Sequence, residues 1–90
     1  MTVSQTAEYA LRAVVQLAQR RGESLTAQQL SDTTGVPASY LSKVLQPLAR
    51  CGLIAAQRGM HGGYSLQRDP AQISVLDIIE CVAPHTRHAG

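Results

Sequence analysis

Ninety residues make one small domain, and that length leaves no room beside its core for a separate catalytic or ligand-binding domain of ordinary size. The core has to be aliphatic, because 44% of the chain is hydrophobic while it contains three Tyr and no Phe or Trp, a composition that excludes disorder of the whole chain. The net charge of +2 is a weak sign of an anionic partner, but from Thr33 to Arg68 the basic residues Lys43, Arg50, Arg58 and Arg68 meet no Asp or Glu, so the middle of the chain is its positive part.

The first element is a helix, since Ala7, Ala10, Leu11, Val14, Leu17 and Ala18 recur at helical spacing and Gly22 after Arg20 and Arg21 suits a C-terminal cap. It is expected to run to about Arg21. A second, short helix opens at Thr26, which forms a T-x-x-Q capping pair with Gln29, while Leu25 and Leu30 stand at hydrophobic-staple positions. Gly35-Val36-Pro37 then breaks the chain: glycine tolerates the positive φ after a helix and proline can open the next. Helix, break and helix together are the signature of a helix-turn-helix.

The third helix, about residues 38–51, carries Leu41, Val44, Leu45 and Leu48 on one side and Ser39, Ser42, Lys43, Gln46 and Arg50 on the other. Pro47 lacks the amide that would bond the Lys43 carbonyl and crowds that carbonyl, so a bend is expected within one helix. After Gly52, Leu53-Ile54-Ala55-Ala56 and Tyr64-Ser65-Leu66 read as two short strands around the Gly-rich run from Arg58 to Gly63. This hairpin, about residues 53–66, has the form of a wing. Ser74 and Asp77 make a second capping pair, S-x-x-D, with Ile73 and Ile78 as its staple, before the apolar Val75, Leu76, Ile79 and Val82. The last helix is expected to end near Ala83, before Pro84. The order helix-helix-helix-hairpin-helix defines a mainly α winged helix-turn-helix over residues 1–83, with a short, flexible tail at 84–90.

Glu8, Arg12 and the neighbouring Gln residues interrupt every apolar window near the N-terminus, so a signal peptide or membrane span is not expected and the chain reads as cytoplasmic. Cys51 and Cys81 each sit in an apolar helical pattern, where buried free thiols are expected, and a reducing cytoplasm argues against a disulfide between them. No paired carboxylates, Ser/His/Asp or Cys/His set accompanies the pattern, and the reading is of a protein that is not an enzyme. Gly59, Gly62 and Gly63 lack the G-x-x-x-x-G-K-[ST] pattern and lead into a strand, so they mark a hairpin tip and not a phosphate loop. His85 and His88 have a spacing that a metal tolerates, but without partner ligands they read as solvated tail residues.

What the pattern does support is contact with double-stranded DNA. The third helix offers small hydroxyl side chains near its start and cations beside them, with Ser39, Tyr40, Ser42 and Lys43 in the first turns, where recognition helices meet base edges. Gln46 and Arg50 extend that face toward bases or phosphate, and Arg58 stands beside glycines whose lack of bulk admits a loop to the minor groove. The alternative is a winged helix used as a protein interaction module, through the same surface or through the apolar last helix with Ile79 and Val82.

Ser4 to Ala13 (S-Q-T-A-E-Y-A-L-R-A), Ser39-Tyr40-Leu41, Leu48 to Ile54 (L-A-R-C-G-L-I), Arg58 to Tyr64 (R-G-M-H-G-G-Y) and the ending Ile73 to Ile79 stand in an order and at intervals that are specific as a set. In these residues the chain resembles the Rrf-two family of winged-helix regulators, which includes iron-sulfur-cluster, nitric-oxide and cysteine-metabolism repressors. The resemblance implies a transcriptional repressor in which Ser39, Tyr40, Ser42 and Lys43 face the major groove and Arg58 enters the minor groove. It further implies that Ser4, Gln5 and Thr6, at the start of the first helix, touch phosphate. Family members that carry an iron-sulfur cluster hold it on a C-terminal cysteine segment, next to a dimerisation helix. Cys51 and Cys81 do not match those cysteines, so this chain is expected to be cofactor-free, and its homodimer to belong to a longer form.

Overall fold

The computed structural model describes residues 4–59 and 62–83; the expected tail, with His85 and His88, lies outside them. Four helices and one hairpin follow in chain order: α1 (Gln5–Gln19), α2 (Ala27–Thr34), α3 (Ala38–Arg50), β1 (Ile54–Gln57), β2 (Gly63–Leu66) and α4 (Val75–Val82), with a 3-10 turn at Pro70–Gln72 before α4. This is the winged helix-turn-helix expected from the sequence.

Local chemistry accounts for most of the boundaries. Ser4 caps α1 by accepting from the Ala7 amide at 3.1 Å. Thr26 and Gln29 form a reciprocal capping box, the Gln29 amide donating to Thr26 Oγ1 at 3.0 Å and the Thr26 amide to Gln29 Oε1 at 2.9 Å. Ser74 and Asp77 do the same for α4. Gly35 closes α2 with φ of 80°, the left-handed conformation that a residue without Cβ adopts cheaply. α1 stops at Gln19, two residues short of the expected Arg21, because Arg20 leaves helical geometry (φ −111°, ψ 39°). The Glu23 amide then donates to the Arg20 carbonyl at 3.0 Å, and that turn delivers the chain to Leu25. α3 runs through Pro47 as one helix.

One continuous core holds these elements together. Ala7, Ala10, Ala13, Val14 and Leu17 of α1 meet Leu30 of α2, Leu41, Val44, Leu45 and Leu48 of α3, Leu53 and Ile54 at the wing base, and Ile78 and Val82 of α4. Ala13 is buried although the apolar pattern assigned it no place, whereas Leu11 and Ala18 are only partly buried. The last helix also turns differently from the expectation: Ile79 is half-buried and Val82 buried, and the exposed apolar side chains are Val75 (58%) and Leu76 (61%). α4 uses Ile78 and Val82, four residues apart, as its core stripe, so Val75 and Leu76 in its first turn fall outside it.

The two-stranded sheet pairs Ile54 with Leu66, Ala55 with Ser65, Ala56 with Tyr64 and Gln57 with Gly63, all antiparallel. The first strand begins one residue later than expected because Leu53 has other tasks: its amide closes α3 by donating to the Leu48 carbonyl at 3.1 Å, and its carbonyl accepts from Gln67 at 2.9 Å. A third segment joins the hairpin. Leu25 and Tyr64 exchange two backbone hydrogen bonds of 2.8 and 2.7 Å, an isolated antiparallel bridge between the α1–α2 connection and the wing.

The cysteines correct the sequence reading outright. Cys51, the exposed cap residue of α3, and Cys81 in α4 are joined as a disulfide, with Cα atoms 6.1 Å apart. Neither is a buried free thiol. Apolar periodicity assigned each cysteine to a helix face but carried no information on how α3 and α4 meet.

Candidate nucleic-acid interface

Four buried aliphatic side chains on one side of α3 decide which residues its other side presents. With Leu41, Val44, Leu45 and Leu48 inward, Ser39, Ser42, Lys43, Gln46 and Arg50 are all exposed. Arg58 is exposed at the end of β1, where the wing leaves the body. Thus α3 and the first wing strand offer hydroxyl, amide and cationic groups without a carboxylate.

Tyr40 stands apart from this set. It is half-buried and packs against the core, its hydroxyl lies 2.7 Å from Thr6 Oγ1, and its ring meets Tyr9 edge-on with centroids 5.0 Å apart. Such an edge-to-face pair contributes about 0.5–1.5 kcal/mol beyond its area. Gln5 Nε2 donates to the Tyr9 hydroxyl at 2.9 Å. The start of α1 is therefore fastened to the first turn of α3 through the same residues, Gln5, Thr6 and Tyr40, that the sequence marked as candidate contacts. Ser4 is exposed and already engaged as the α1 cap.

The seam also orients cations. Lys43 Nζ lies 5.9 Å from the Tyr40 ring centroid and Arg12 Cζ 5.6 Å from that of Tyr9, distances at which a ring quadrupole attracts positive charge. Tyr9 and Arg12 were not singled out from sequence. The available signal was the scarcity of aromatics, with all three Tyr at junctions: Tyr9 and Tyr40 between α1 and α3, Tyr64 between wing and Leu25.

Ion pairing separates the charges further. Glu8 pairs with Arg12 at 2.6 Å, Glu23 with Arg20 at 2.8 Å and Asp69 with Arg21 at 3.6 Å. Hydrogen bonding and then the charge of Arg20 hold the Glu23 carboxyl below its ordinary range. Among the described residues, Lys43, Arg50 and Arg58 have no carboxylate within 4.0 Å. These pairs are exposed and contribute little to stability, but they neutralise Arg12, Arg20 and Arg21 and leave Lys43, Arg50 and Arg58 available to an anion.

Two wing glycines leave no room for a side chain, Gly63 against the body and Gly62 against the hairpin's own backbone. A Cβ on Gly63 would lie 2.8 Å from the Leu25 carbonyl oxygen, and one on Gly62 would lie 2.7 Å from that of Gln57. The run read from sequence as a slim tip is thus also a docking point for backbone. Met60 and His61 at the tip lie outside the described residues.

Helix-turn-helix and wing together define a winged-helix domain with an acid-free outer face on its third helix. A family model described as "Iron-dependent Transcriptional regulator", Rrf2, matches residues 3–89, and the chain belongs to that family. CymR, an HTH-type transcriptional regulator of Bacillus subtilis, is 34% identical over 80 residues, a match covering 88% of this chain and 58% of that protein. The solved structure of B. subtilis CymR, titled the global cysteine regulator, superposes with a TM-score of 0.86 at 29% identity, covering 91% of this chain and 64% of that one. IscR of T. potens gives a TM-score of 0.84 at 32% identity, covering 92% and 61%. The chain spans about half the length of the curated relatives it matches, such as 52% of a Mycobacterium tuberculosis regulator to which it is 37% identical.

The family description raises the question of iron. Among the described residues, no group of three or more His, Cys, Asp or Glu side chains is placed to hold a metal ion, and Cys51 and Cys81 are bonded to each other. This described donor set does not fit iron. No helix among the described residues is long and apolar enough to cross a membrane.

Proposed function

We propose that this chain is the reading part of a sequence-specific DNA-binding transcriptional regulator, a repressor that acts by covering promoter DNA in the cytoplasm and performs no covalent chemistry. The observation that carries this reading is the exposed, acid-free outer face of α3, with Lys43, Arg50 and Arg58 unpaired by carboxylates among the described residues. Ser39, Ser42 and Lys43 meet base edges in the major groove, with Gln46 extending the readout and Arg50 meeting phosphate. Tyr40 contributes from the side and fixes the angle of α3 through Thr6 and Tyr9. Ser4, Gln5 and Thr6 bring the start of α1 to the phosphates, and Arg58 reaches the minor groove. Reading two half-sites needs two such modules about one DNA turn apart, so the working form is a homodimer whose contacts involve a longer chain.

Titration of promoter fragments against salt tests this. Affinity should fall steeply as salt rises, and Arg58→Ala should weaken binding across sequences and lower the salt slope by about one. The same variant should leave stability within about 0.5 kcal/mol. A second reading, a winged helix that binds a protein, draws on the exposed Val15, Val75 and Leu76. Salt-insensitive binding, or no DNA binding by a dimeric full-length form, would replace the first reading with the second.

A further inference from the structure

The geometry points to Cys51 and Cys81 as a reversible dithiol–disulfide switch, open to low-molecular-weight thiols, that clamps the base of the wing; its consequence for DNA affinity rests on the proposed function. The Cα separation of 6.1 Å falls within the range of about 4.4–6.8 Å in which a disulfide closes without backbone movement. The two cysteines are 30 residues apart, and the loop they close contains both wing strands, the 3-10 turn and most of α4.

The bond is accessible. Cys51 is exposed, and an open pocket lined by Cys51, Leu53, Arg68, Asp77, Glu80 and Cys81 lies beside the sulfurs. A small thiol can approach from solvent without unfolding anything. Nor does the fold depend on the bond: α3 and α4 are already seated in the common core by Leu41, Val44, Leu45 and Leu48 and by Ile78 and Val82. A cross-link between two independently seated helices can open and leave the domain folded.

The clamp acts on the wing through a short path. From Cys51 the chain passes Gly52, whose amide donates to the Ala49 carbonyl at 3.0 Å, and reaches Leu53, which hydrogen-bonds both α3 and Gln67 at the far side of the hairpin. With the bond closed, the end of α3, the hairpin base and α4 move as one body. With it open, the covalent tie between the end of α3 and α4 is gone, and the hairpin base is held by the Leu53 bonds to Leu48 and Gln67, the burial of Leu53 and Ile54, the strand pairing and the Leu25–Tyr64 bridge. A DNA reader works beside the cellular thiol pool, where disulfides persist chiefly as transient or sensing bonds.

Thiol–disulfide exchange balances the step. A glutathione thiolate attacks Cys51 Sγ, the protein S–S bond breaks, and Cys81 leaves as a thiolate that takes a proton from water. A second glutathione thiolate attacks the glutathione sulfur of the mixed disulfide, Cys51 leaves as a thiolate, and glutathione disulfide departs. Two glutathione thiols are oxidised as one protein disulfide is reduced to two thiols, and glutathione disulfide drives the reverse.

The test equilibrates the 90-residue chain in glutathione and glutathione disulfide mixtures, traps free thiols with N-ethylmaleimide and counts them by mass. Both cysteines should titrate together, within one chain, at an intermediate ratio. The oxidised form should melt on the order of 10 °C higher and exchange the Leu53 and Gln67 amides more slowly, and in the dimeric full-length protein the oxidised form should bind promoter DNA several-fold more tightly. Cys51→Ser and Cys81→Ser should each show native circular dichroism and reduced-form melting in every mixture. Cross-linking between chains, a bond that stays closed at the most reducing ratio, or equal melting and exchange in the two forms would overturn the switch. Melting and exchange that respond while neither redox form of the dimeric full-length protein binds promoter DNA would uphold the switch and overturn the DNA reading.

Discussion

α3 rests on Leu41, Val44, Leu45 and Leu48, all fully buried, whereas the wing buries only Ile54 among its strand residues and is held by strand pairing and the Leu25–Tyr64 bridge. Hydrophobic burial orients the helix, and its outer face is consequently free to carry polar and cationic residues. Backbone contact orients the wing, and there the absence of a side chain at Gly62 and Gly63 matters more than the presence of any. The two elements of the candidate interface are thus vulnerable to opposite kinds of substitution.

The largest expected effect lies on the helix side of that contrast. Leu45→Ala removes a fully buried side chain and should cost about 2–5 kcal/mol, lowering the melting temperature of the whole domain along with any DNA binding. If only binding fell and melting were unchanged, the seating of α3 would not be hydrophobic. On the wing side, Gly63→Ala places a Cβ against the Leu25 carbonyl and should cost about 1–3 kcal/mol. Amide exchange should accelerate first at Leu25 and Tyr64; acceleration spread evenly through α3 would show that wing and helix are one cooperative unit.

A smaller effect sharpens the seam between α1 and α3. Tyr40→Phe keeps the ring against Tyr9 and removes the hydroxyl that faces Thr6, for a loss of about 0.5–1.5 kcal/mol. Thr6→Val in the Tyr40→Phe background should then cost little more, which a double-mutant cycle measures. Smallest is a pH effect at the other end of the chain. The Ser74 backbone amide, and next its hydroxyl, hold the Asp77 carboxyl below its ordinary range. A carboxyl held low in the folded state contributes fully above its unfolded pKa of about 3.9 and loses that contribution as pH falls through the lower folded value. The α4 cap should therefore weaken in acid below about pH 4, and Asp77→Asn should remove that part of the pH dependence from a melting series.

Features written in neighbouring residues were legible without coordinates. The Thr26–Gln29 and Ser74–Asp77 boxes, the left-handed Gly35 and the inward quartet of α3 each depend on side chains within a turn or two of one another, where helical periodicity and capping chemistry act directly. The exposed set Ser39, Ser42, Lys43, Gln46 and Arg50 followed, since fixing one face of a helix fixes the other. Tertiary structure decided what distant segments do to each other. It joined Cys51 to Cys81, set Tyr40 against Tyr9 and Thr6, and brought Leu25 to Tyr64. It also left Val75 and Leu76 exposed while burying Val82. In each case local patterning supplies a face or a strand, and only the packing of whole elements in a shared core selects which faces meet.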